Sequence, residues 1–139
     1  MQGASVTAGQ RLRILLVDDN ELTRSVLRLS LMGDEFDVVG EAASGRAGLD
    51  AAVRLRPDMV CLDIKMPDMN GIDVLRAIKD ALPGTTVLMV TASNDRETVQ
   101  AAIGGGAAGF ILKPFNTSTL QETMRKAARA HVRQRARPA

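Results

Sequence analysis

Five short apolar segments alternate along the chain with stretches in which apolar residues recur at helical spacing. The apolar segments are RILLVDD (13–19), FDVVGEAA (36–43), DMVCLDI (58–64), TTVLMVTA (85–92) and GFILK (109–113). Each segment is long enough for one strand, and each is followed by enough residues for one helix. Strands that alternate with helices form a parallel sheet covered on both faces, so the pattern predicts a doubly wound α/β fold.

The helical stretches are marked by apolar residues three or four positions apart, with capping residues at Asn116 to Ser118 before the last one. The markers are Leu22, Val26, Leu27, Leu29 and Met32; Ala47, Ala51, Ala52 and Leu55; Ile72, Leu75, Ile78 and Leu82; Val99, Ala102 and Ile103; and Leu120, Met124 and Ala127 or Ala128. The second strand also contains Asp37 and Glu41, which suits an edge position better than a doubly covered one.

A chain of 139 residues is expected to form one domain. We expect a disordered segment at residues 1–12, one globular domain at 13–130 and a basic tail at 131–139.

The sequence contains three Phe and neither Trp nor Tyr, which argues against a protein that stacks nucleic-acid bases on aromatic side chains. It contains no apolar run of membrane-spanning length and no secretory leader, so we expect a cytoplasmic protein. The single cysteine, Cys61, lies in an apolar run and is expected to be a buried thiol.

The net charge of +2 is unevenly distributed along the chain. Residues 123–139 contain six Lys or Arg and no acid, which leaves twelve bases against sixteen acids in residues 1–122, a balance of −4. A solvated helical extension, a linker to a further domain and a patch for an acidic partner or nucleic acid would each explain the basic tail.

Polar residues follow four of the five apolar runs at the point where each strand ends. In an open parallel sheet these ends meet at one rim, where ligands bind. The residues placed there are Asp18 and Asp19, Asp63, Thr91 and Ala92, and Lys113 and Pro114. Any one of them has an ordinary explanation, such as a helix cap or a solvated lysine. Their convergence from four separate segments predicts a functional site.

Three neighbouring carboxylates cannot all stay ionised without a cation. Oxygen ligands without His or Cys favour a hard ion, and Mg²⁺ typically binds one or two carboxylates together with water and a phosphate oxygen. A carboxylate can itself be the nucleophile that forms an aspartyl phosphate. Lys113 would then neutralise phosphoryl oxygens, and Thr91 would donate a hydrogen bond to one of them.

Residues 13 to about 130 resemble the receiver domain of bacterial two-component response regulators, of the single-domain chemotaxis type. The resemblance lies in VDDN after the first strand, LDIKMPDMNG (62–71), VTA (90–92) and GFILKPF (109–115). It implies a flavodoxin-like (βα)5 fold with strand order 2-1-3-4-5.

The resemblance also implies a role for individual residues. It makes Asp63 the phosphoacceptor and assigns Mg²⁺ to Asp18, Asp19, Asp63 and the backbone carbonyl of Lys65. Thr91, the Ala92 amide and Lys113 would contact the phosphoryl group, and the Lys113–Pro114 peptide is expected to be cis. Thr91 and Phe110 would form the conformational switch, with Phe110 in place of the more common Tyr. Lys65 and Ser93 occupy positions that tune dephosphorylation in receivers, in a direction that the sequence leaves open.

The implied function is a phosphorylation-dependent signalling switch and not an enzyme beyond its own phosphoryl transfer and slow dephosphorylation. A sensor histidine kinase or a histidine phosphotransfer protein would donate the phosphoryl group. A face built from helix 4, strand 5 and helix 5 would control a downstream protein and would also serve a homodimer. The cognate kinase, the stimulus and the output stay open.

Three other interpretations remain in view. A Mg²⁺-dependent phosphatase with an Asp nucleophile would need a second Asp at the position of Lys65 and a cap segment. A flavin-binding module would need a Ser/Thr/Gly-rich loop after the first strand. The chain could also be the receiver part of a larger response regulator. Residues 104–109 match the dinucleotide motif G-x-G-x-x-G, but they follow a helix and enter a strand, the reverse of the required order.

Overall fold

The computed structural model describes residues 11–136 as five strands and five helices in strict alternation. The strands are β1 (Leu12–Val17), β2 (Phe36–Ala42), β3 (Met59–Leu62), β4 (Thr86–Thr91) and β5 (Gly109–Leu112). The helices are α1 (Glu21–Ser30), α2 (Gly45–Leu55), α3 (Gly71–Ala81), α4 (Arg96–Gly104) and α5 (Thr117–Ala136). No helix of this described part is both long and apolar enough to cross a membrane.

The five strands form one parallel sheet in the order β2-β1-β3-β4-β5. The expected fold class, strand order and edge position of β2 are therefore confirmed. All four residues of β3 and all six of β4 are buried, which explains why these strands are almost continuously apolar in sequence. The register of β1 against β2 shifts between Ile14 and Leu15.

Alternate residues of each strand face two separate hydrophobic cores. Leu15 and Val17 of β1 pack with residues of α2, α3 and α4 on one side of the sheet. Ile14 and Leu16 pack with residues of α1 and α5 on the other side. This period-two arrangement buries both faces of the sheet and leaves the strand ends as the places where polar groups can collect.

Each helix begins just past the carboxyl end of a strand, at a residue whose side chain accepts a hydrogen bond from a first-turn amide. The residues are Asn20, Ser44, Asn70, Asp95 and Asn116. Capping of this kind satisfies amides that have no partner inside the helix. All five helix amino termini, with their positive partial charge, therefore lie along the rim where the strands end.

Two features differ from the sequence expectation. Most of the apolar markers of α1 point away from the core: Leu22, Leu29 and Met32 are 72%, 65% and 71% exposed, while Leu27 is buried. The last helix continues to Ala136, across the domain boundary expected at residue 130, and His131 on it is buried. The boundaries themselves stay predictions, and residues 1–10 and 137–139 of the two expected tails lie outside the described residues.

Candidate functional site

Three aspartates meet at the carboxyl ends of β1 and β3. Asp18 and Asp19 follow β1 directly, and Asp63 follows the neighbouring strand β3, where its amide donates to the Val17 carbonyl at 2.9 Å. One carboxylate oxygen from each aspartate lies within 4.8 Å of the other two. Asp18 and Asp63 are buried, whereas Asp19 is exposed. The arrangement is an anionic cup that opens to solvent on the side of Asp19.

Lys113, which follows β5, provides the positive charge that reaches this cup. Its Nζ lies 2.8 Å from Asp18 Oδ2 and 3.2 Å from Asp63 Oδ2. The other oxygens of these carboxylates accept backbone hydrogen bonds, Asp18 Oδ1 from Asn20 N and Asp63 Oδ1 from Ile64 N, each at 2.8 Å. The two buried carboxylates are thus held in fixed orientations by one ammonium group and two amides.

The charges in the cup change the proton affinity of its members. Burial raises the pKa of the Asp63 carboxyl, and the charge of Asp18 raises it further, against the opposing effect of Lys113 and of the Ile64 amide. Burial alone would lower the pKa of Lys113, but its hydrogen bond to Asp18 and the charges of both aspartates raise it instead. Three carboxylates facing one ammonium group leave a local surplus of negative charge.

Thr91 ends β4 next to the segment that carries the lysine. The Lys113 amide donates to the Thr91 carbonyl at 2.9 Å, and the buried Thr91 hydroxyl oxygen accepts from Ser93 N at 3.1 Å. Ala92, the next residue, is exposed. The peptide bond between Lys113 and Pro114 is cis. The acceptor role of Thr91 toward Ser93 leaves its hydroxyl hydrogen available to a ligand oxygen.

The remaining two candidates, Phe110 and Lys65, lie in β5 and in the loop that follows Asp63. Phe110 is half-buried in β5 and packs against the core formed with α2, α3 and α4. Lys65 is exposed in the loop after Asp63. Its backbone pairs with the backbone of Asn70 in an antiparallel bridge. Hydrogen bonds from Thr98 lower the pKa of Asp95, the α4 capping residue, and the charge of Lys65 contributes to the same effect.

Two further residues, Arg24 and Gly71, hold the cup in place. Arg24 of α1 donates from Nη1 to the Asp18 carbonyl at 2.6 Å and from Nε to Glu41 Oε1 at 3.1 Å. At Gly71 any Cβ would collide with the Asp63 carbonyl oxygen, so only glycine allows the loop after β3 to close there. Gly71 ends the LDIKMPDMNG motif, whereas Arg24 was missed because an arginine six residues after Asp18 has no distinctive sequence signal.

The donor set in the cup fits a hard divalent cation. Its three ligand atoms are carboxylate oxygens from Asp18, Asp19 and Asp63, and neither His nor Cys belongs to the cluster. Mg²⁺ prefers such oxygen ligands and keeps several waters, which an opening toward solvent would allow. Burial and, after it, the charge of Asp18 raise the pKa of Asp63, and a cation here would offset the contribution of Asp18.

Known proteins resemble this chain over most of its length. Residues 14–125 match the family described as the response regulator receiver domain. The chemotaxis protein CheY of Thermotoga maritima is 36% identical over 117 residues, which are 84% of this chain and 98% of that protein. The nitrate/nitrite response regulator protein NarL of Escherichia coli is 35% identical, but its match covers 83% of this chain and only 54% of NarL.

A solved structure agrees with the fold. The CheY-like response regulator receiver domain protein from Methanospirillum hungatei superposes with a TM-score of 0.85 at 27% identity, covering 90% of this chain and 99% of that one. The chain therefore spans nearly all of some relatives and about half of others. The residues matched by the family, 14–125, contain every residue of the anionic cup.

Proposed function

The chain belongs to the response regulator receiver domain family, and from this premise we propose that Asp63 accepts a phosphoryl group with the help of Mg²⁺. Receiver domains are phosphorylation-dependent signalling switches. The observation that carries the proposal is the meeting of Asp18, Asp19, Asp63 and Lys113 at one rim, from segments as far as 95 residues apart.

In the proposed reaction a carboxylate oxygen of Asp63 attacks the phosphorus of a phosphohistidine on a partner protein. A phosphorus–oxygen bond forms, the phosphorus–nitrogen bond breaks, and the imidazole nitrogen leaves with the bonding electron pair and takes up a proton. Asp18, Asp19, Asp63 and the Lys65 carbonyl would hold Mg²⁺, which when bound supplies positive charge to the phosphoryl oxygens.

The protein's own residues do the rest of the work. The Ile64 amide and Lys113 hold the Asp63 carboxylate in one orientation before the donor arrives. After transfer, the Lys113 ammonium group would pair with a phosphoryl oxygen, while the Thr91 hydroxyl and the Ala92 amide would donate to others. Water attack on the acyl phosphate returns Asp63 to its starting state, so the chain converts no substrate beyond its own phosphoryl group.

The signal would leave the site through β4 and β5. A Thr91 side chain drawn toward the phosphoryl group would vacate space that Phe110, now half-buried in β5, can enter. That movement would change the face formed by α4, β5 and α5, on which Ile103 and Leu112 are 61% and 44% exposed. We propose that this face contacts a downstream protein or a second copy of the chain, and that a histidine kinase or histidine phosphotransfer protein is the phosphoryl donor.

The direct test is incubation of the purified chain with acetyl phosphate and MgCl₂, followed by mass spectrometry of the intact protein. The expected result is a mass gain of one phosphoryl group, which EDTA prevents. The Asp63→Asn variant gains nothing, because an amide oxygen is a poor nucleophile. The matched control Asp73→Asn, an exposed carboxylate in the first turn of α3, is phosphorylated like the wild type.

Two outcomes would count against the proposal. A mass gain that survives Asp63→Asn would move the acceptor elsewhere, and no gain in the wild type would remove phosphoryl acceptance altogether. Continuous turnover of a generic phosphate ester would instead favour the phosphatase alternative. Matches that cover about half of NarL keep open that this chain works within a longer response regulator.

A further inference from the structure

The loop between β3 and α3, residues 64–70, is closed at its base against the proposed phosphoacceptor. The Gly71 amide donates to the Ile64 carbonyl at 2.6 Å, and Lys65 pairs with Asn70 in an antiparallel bridge. The absence of a side chain at Gly71 lets the end of this loop approach the Asp63 carbonyl. The loop therefore begins and ends beside Asp63, and its tip is connected to residues 63–65 through this short closed segment.

The tip of the loop is tied to a different element by one side chain. Asp68 Oδ1 accepts a hydrogen bond from Gly45 N, and Asp68 Oδ2 accepts one from Arg46 N, each at 2.9 Å. These amides belong to the first turn of α2, where helical amides have no partner within the helix. Ser44 serves the next such amide, that of Ala47. Asp68 thus completes the cap of a helix that starts 23 residues earlier in the sequence.

Packing at the same point shows how closely the loop lies on α2. A Cβ at Gly45 would come within 2.7 Å of Met69 Cβ, so the glycine leaves room for the loop. Asp68 itself is exposed, and hydrogen bonds from the amides of Arg46 and Gly45 lower its pKa. An exposed carboxylate with both oxygens bonded to the amides of another element is a tether and not a core residue.

We propose that Asp68 is a positioning residue for the cation site. By fixing the tip of the 64–70 loop on α2, it holds Asp63 and the Lys65 backbone in the arrangement that binds the cation. Without this tether the loop must be ordered when the cation binds, and the entropy of ordering lowers the affinity. The inference rests on the proposed function, because the Lys65 carbonyl as a ligand comes from it.

The test compares the Mg²⁺ dissociation constants of full-length variants by isothermal titration calorimetry, with no phosphoryl donor present. Asp68→Ala is expected to weaken binding about tenfold, the lower range for residues that orient metal ligands. Asp68→Asn is expected to fall between Asp68→Ala and the wild type, because its one amide oxygen can still accept from α2. The control Asp73→Ala removes an equal charge from an exposed position of α3 and is expected to leave the constant unchanged.

Two further readouts separate positioning from general damage to the fold. In ¹⁵N-edited NMR spectra, the amide signals of Gly45 and Arg46 should shift upfield in Asp68→Ala, because the bonds to the carboxylate are lost. Its phosphorylation rate with acetyl phosphate should return to nearly the wild-type value at saturating Mg²⁺. A fold damaged by the substitution would not be rescued by the cation in this way.

The inference is overturned if folded Asp68→Ala binds Mg²⁺ as the wild type does, or if Asp73→Ala weakens binding equally. Failure of the proposed function looks different: the wild type would bind Mg²⁺ with the expected dependence on Asp68 but accept no phosphoryl group. Absence of Mg²⁺ binding by the wild type would overturn both.

Discussion

At each end of the sheet there is a group formed by an aspartate, a threonine and a basic residue, each of them buried or half-buried. Those at the carboxyl ends of the strands are Asp63, Thr91 and Lys113, and those at the amino ends are Asp58, Thr86 and His131. The residue types are almost the same, but the charge balance differs. The carboxyl end has three carboxylates around one ammonium group, whereas the amino end has a single carboxylate among several basic groups.

The amino-end cluster joins four elements. Asp58 Oδ2 accepts from Arg13 N of β1 at 2.8 Å, and the Thr86 amide of β4 donates to the Asp58 carbonyl at 2.9 Å. On α5, His131 Nδ1 lies 2.9 Å from the Thr86 hydroxyl oxygen, and Arg135 Nη1 lies 3.4 Å from Asp58 Oδ1. With one carboxylate shared among these groups, this end leaves no negative surplus to attract a ligand. The contrast indicates that surplus charge, and not the residue types, distinguishes the end at which we propose a binding site.

The largest effect we expect comes from removing the amino-end carboxylate. Asp58→Ala leaves the Arg13 amide without its acceptor and Arg135 without its ion-pair partner, so the free energy of unfolding should fall by about 2 kcal/mol. Urea denaturation measures this change, and Asp80→Ala, an exposed aspartate of α3, serves as the control with little expected effect. Phosphorylation by acetyl phosphate should persist. Loss of phosphorylation in a folded Asp58→Ala would mean that the amino end of the sheet also contributes to phosphoryl acceptance at the carboxyl end.

A smaller effect should appear when the amino end is acidified. Burial lowers the pKa of His131 below its ordinary value of 6.5, with Asp58 opposing the shift and Arg135 and Lys79 adding to it. Because the unfolded chain then binds the proton more readily, His131 favours folding above about pH 6.5, and this contribution is lost as the pH falls. Urea denaturation at pH 7.5 and pH 5.5 should show a larger loss of stability in the wild type than in His131→Gln. An equal loss in both would remove His131 as the cause.

The smallest effect is expected at the carboxyl end and has the opposite sign. Asp19→Asn removes one of three crowded carboxylates, so without Mg²⁺ the melting temperature should rise, by about 2 °C for an exposed charge in a chain of this size. Added Mg²⁺ should stabilise the wild type more than the variant. Thermal denaturation with and without Mg²⁺ measures both effects, with Glu21→Gln, an exposed acid of the first turn of α1, as the control. A lower melting temperature in Asp19→Asn would mean that the acids do not repel one another.

The difference between the two ends of the sheet also explains how much of the fold and of the candidate site could be predicted from the sequence. Strands buried on both faces must be almost continuously apolar, so the apolar runs and the edge position of β2 were readable without coordinates, whereas the strand order came from the resemblance to receiver domains. The rim was readable because parallel strands deliver their carboxyl ends to one edge, which places Asp18, Asp63 and Lys113 together whatever lies between them.

What could not be predicted depends on contacts between distant residues. Helical spacing showed that α1 is a helix but not which face is buried, and Leu22, Leu29 and Met32 proved to be exposed. His131 sits in a basic segment, and its burial depends on Thr86, 45 residues away. The partners of Asp68 are equally remote. A local pattern does not contain this information, because the sheet and its crossovers bring the partners together only in the folded chain.

The account depends most on the claim that Asp63 is the residue that carries the phosphoryl group. The direct measurement is to phosphorylate the chain with acetyl phosphate and Mg²⁺, reduce the acyl phosphate with borohydride, and locate the modified aspartate in proteolytic peptides by mass spectrometry. Reduction should convert residue 63 alone to homoserine and leave Asp18, Asp19 and Asp58 unchanged. Conversion at Asp18 or Asp19, or at none of the aspartates of a protein that had gained a phosphoryl group, would contradict it.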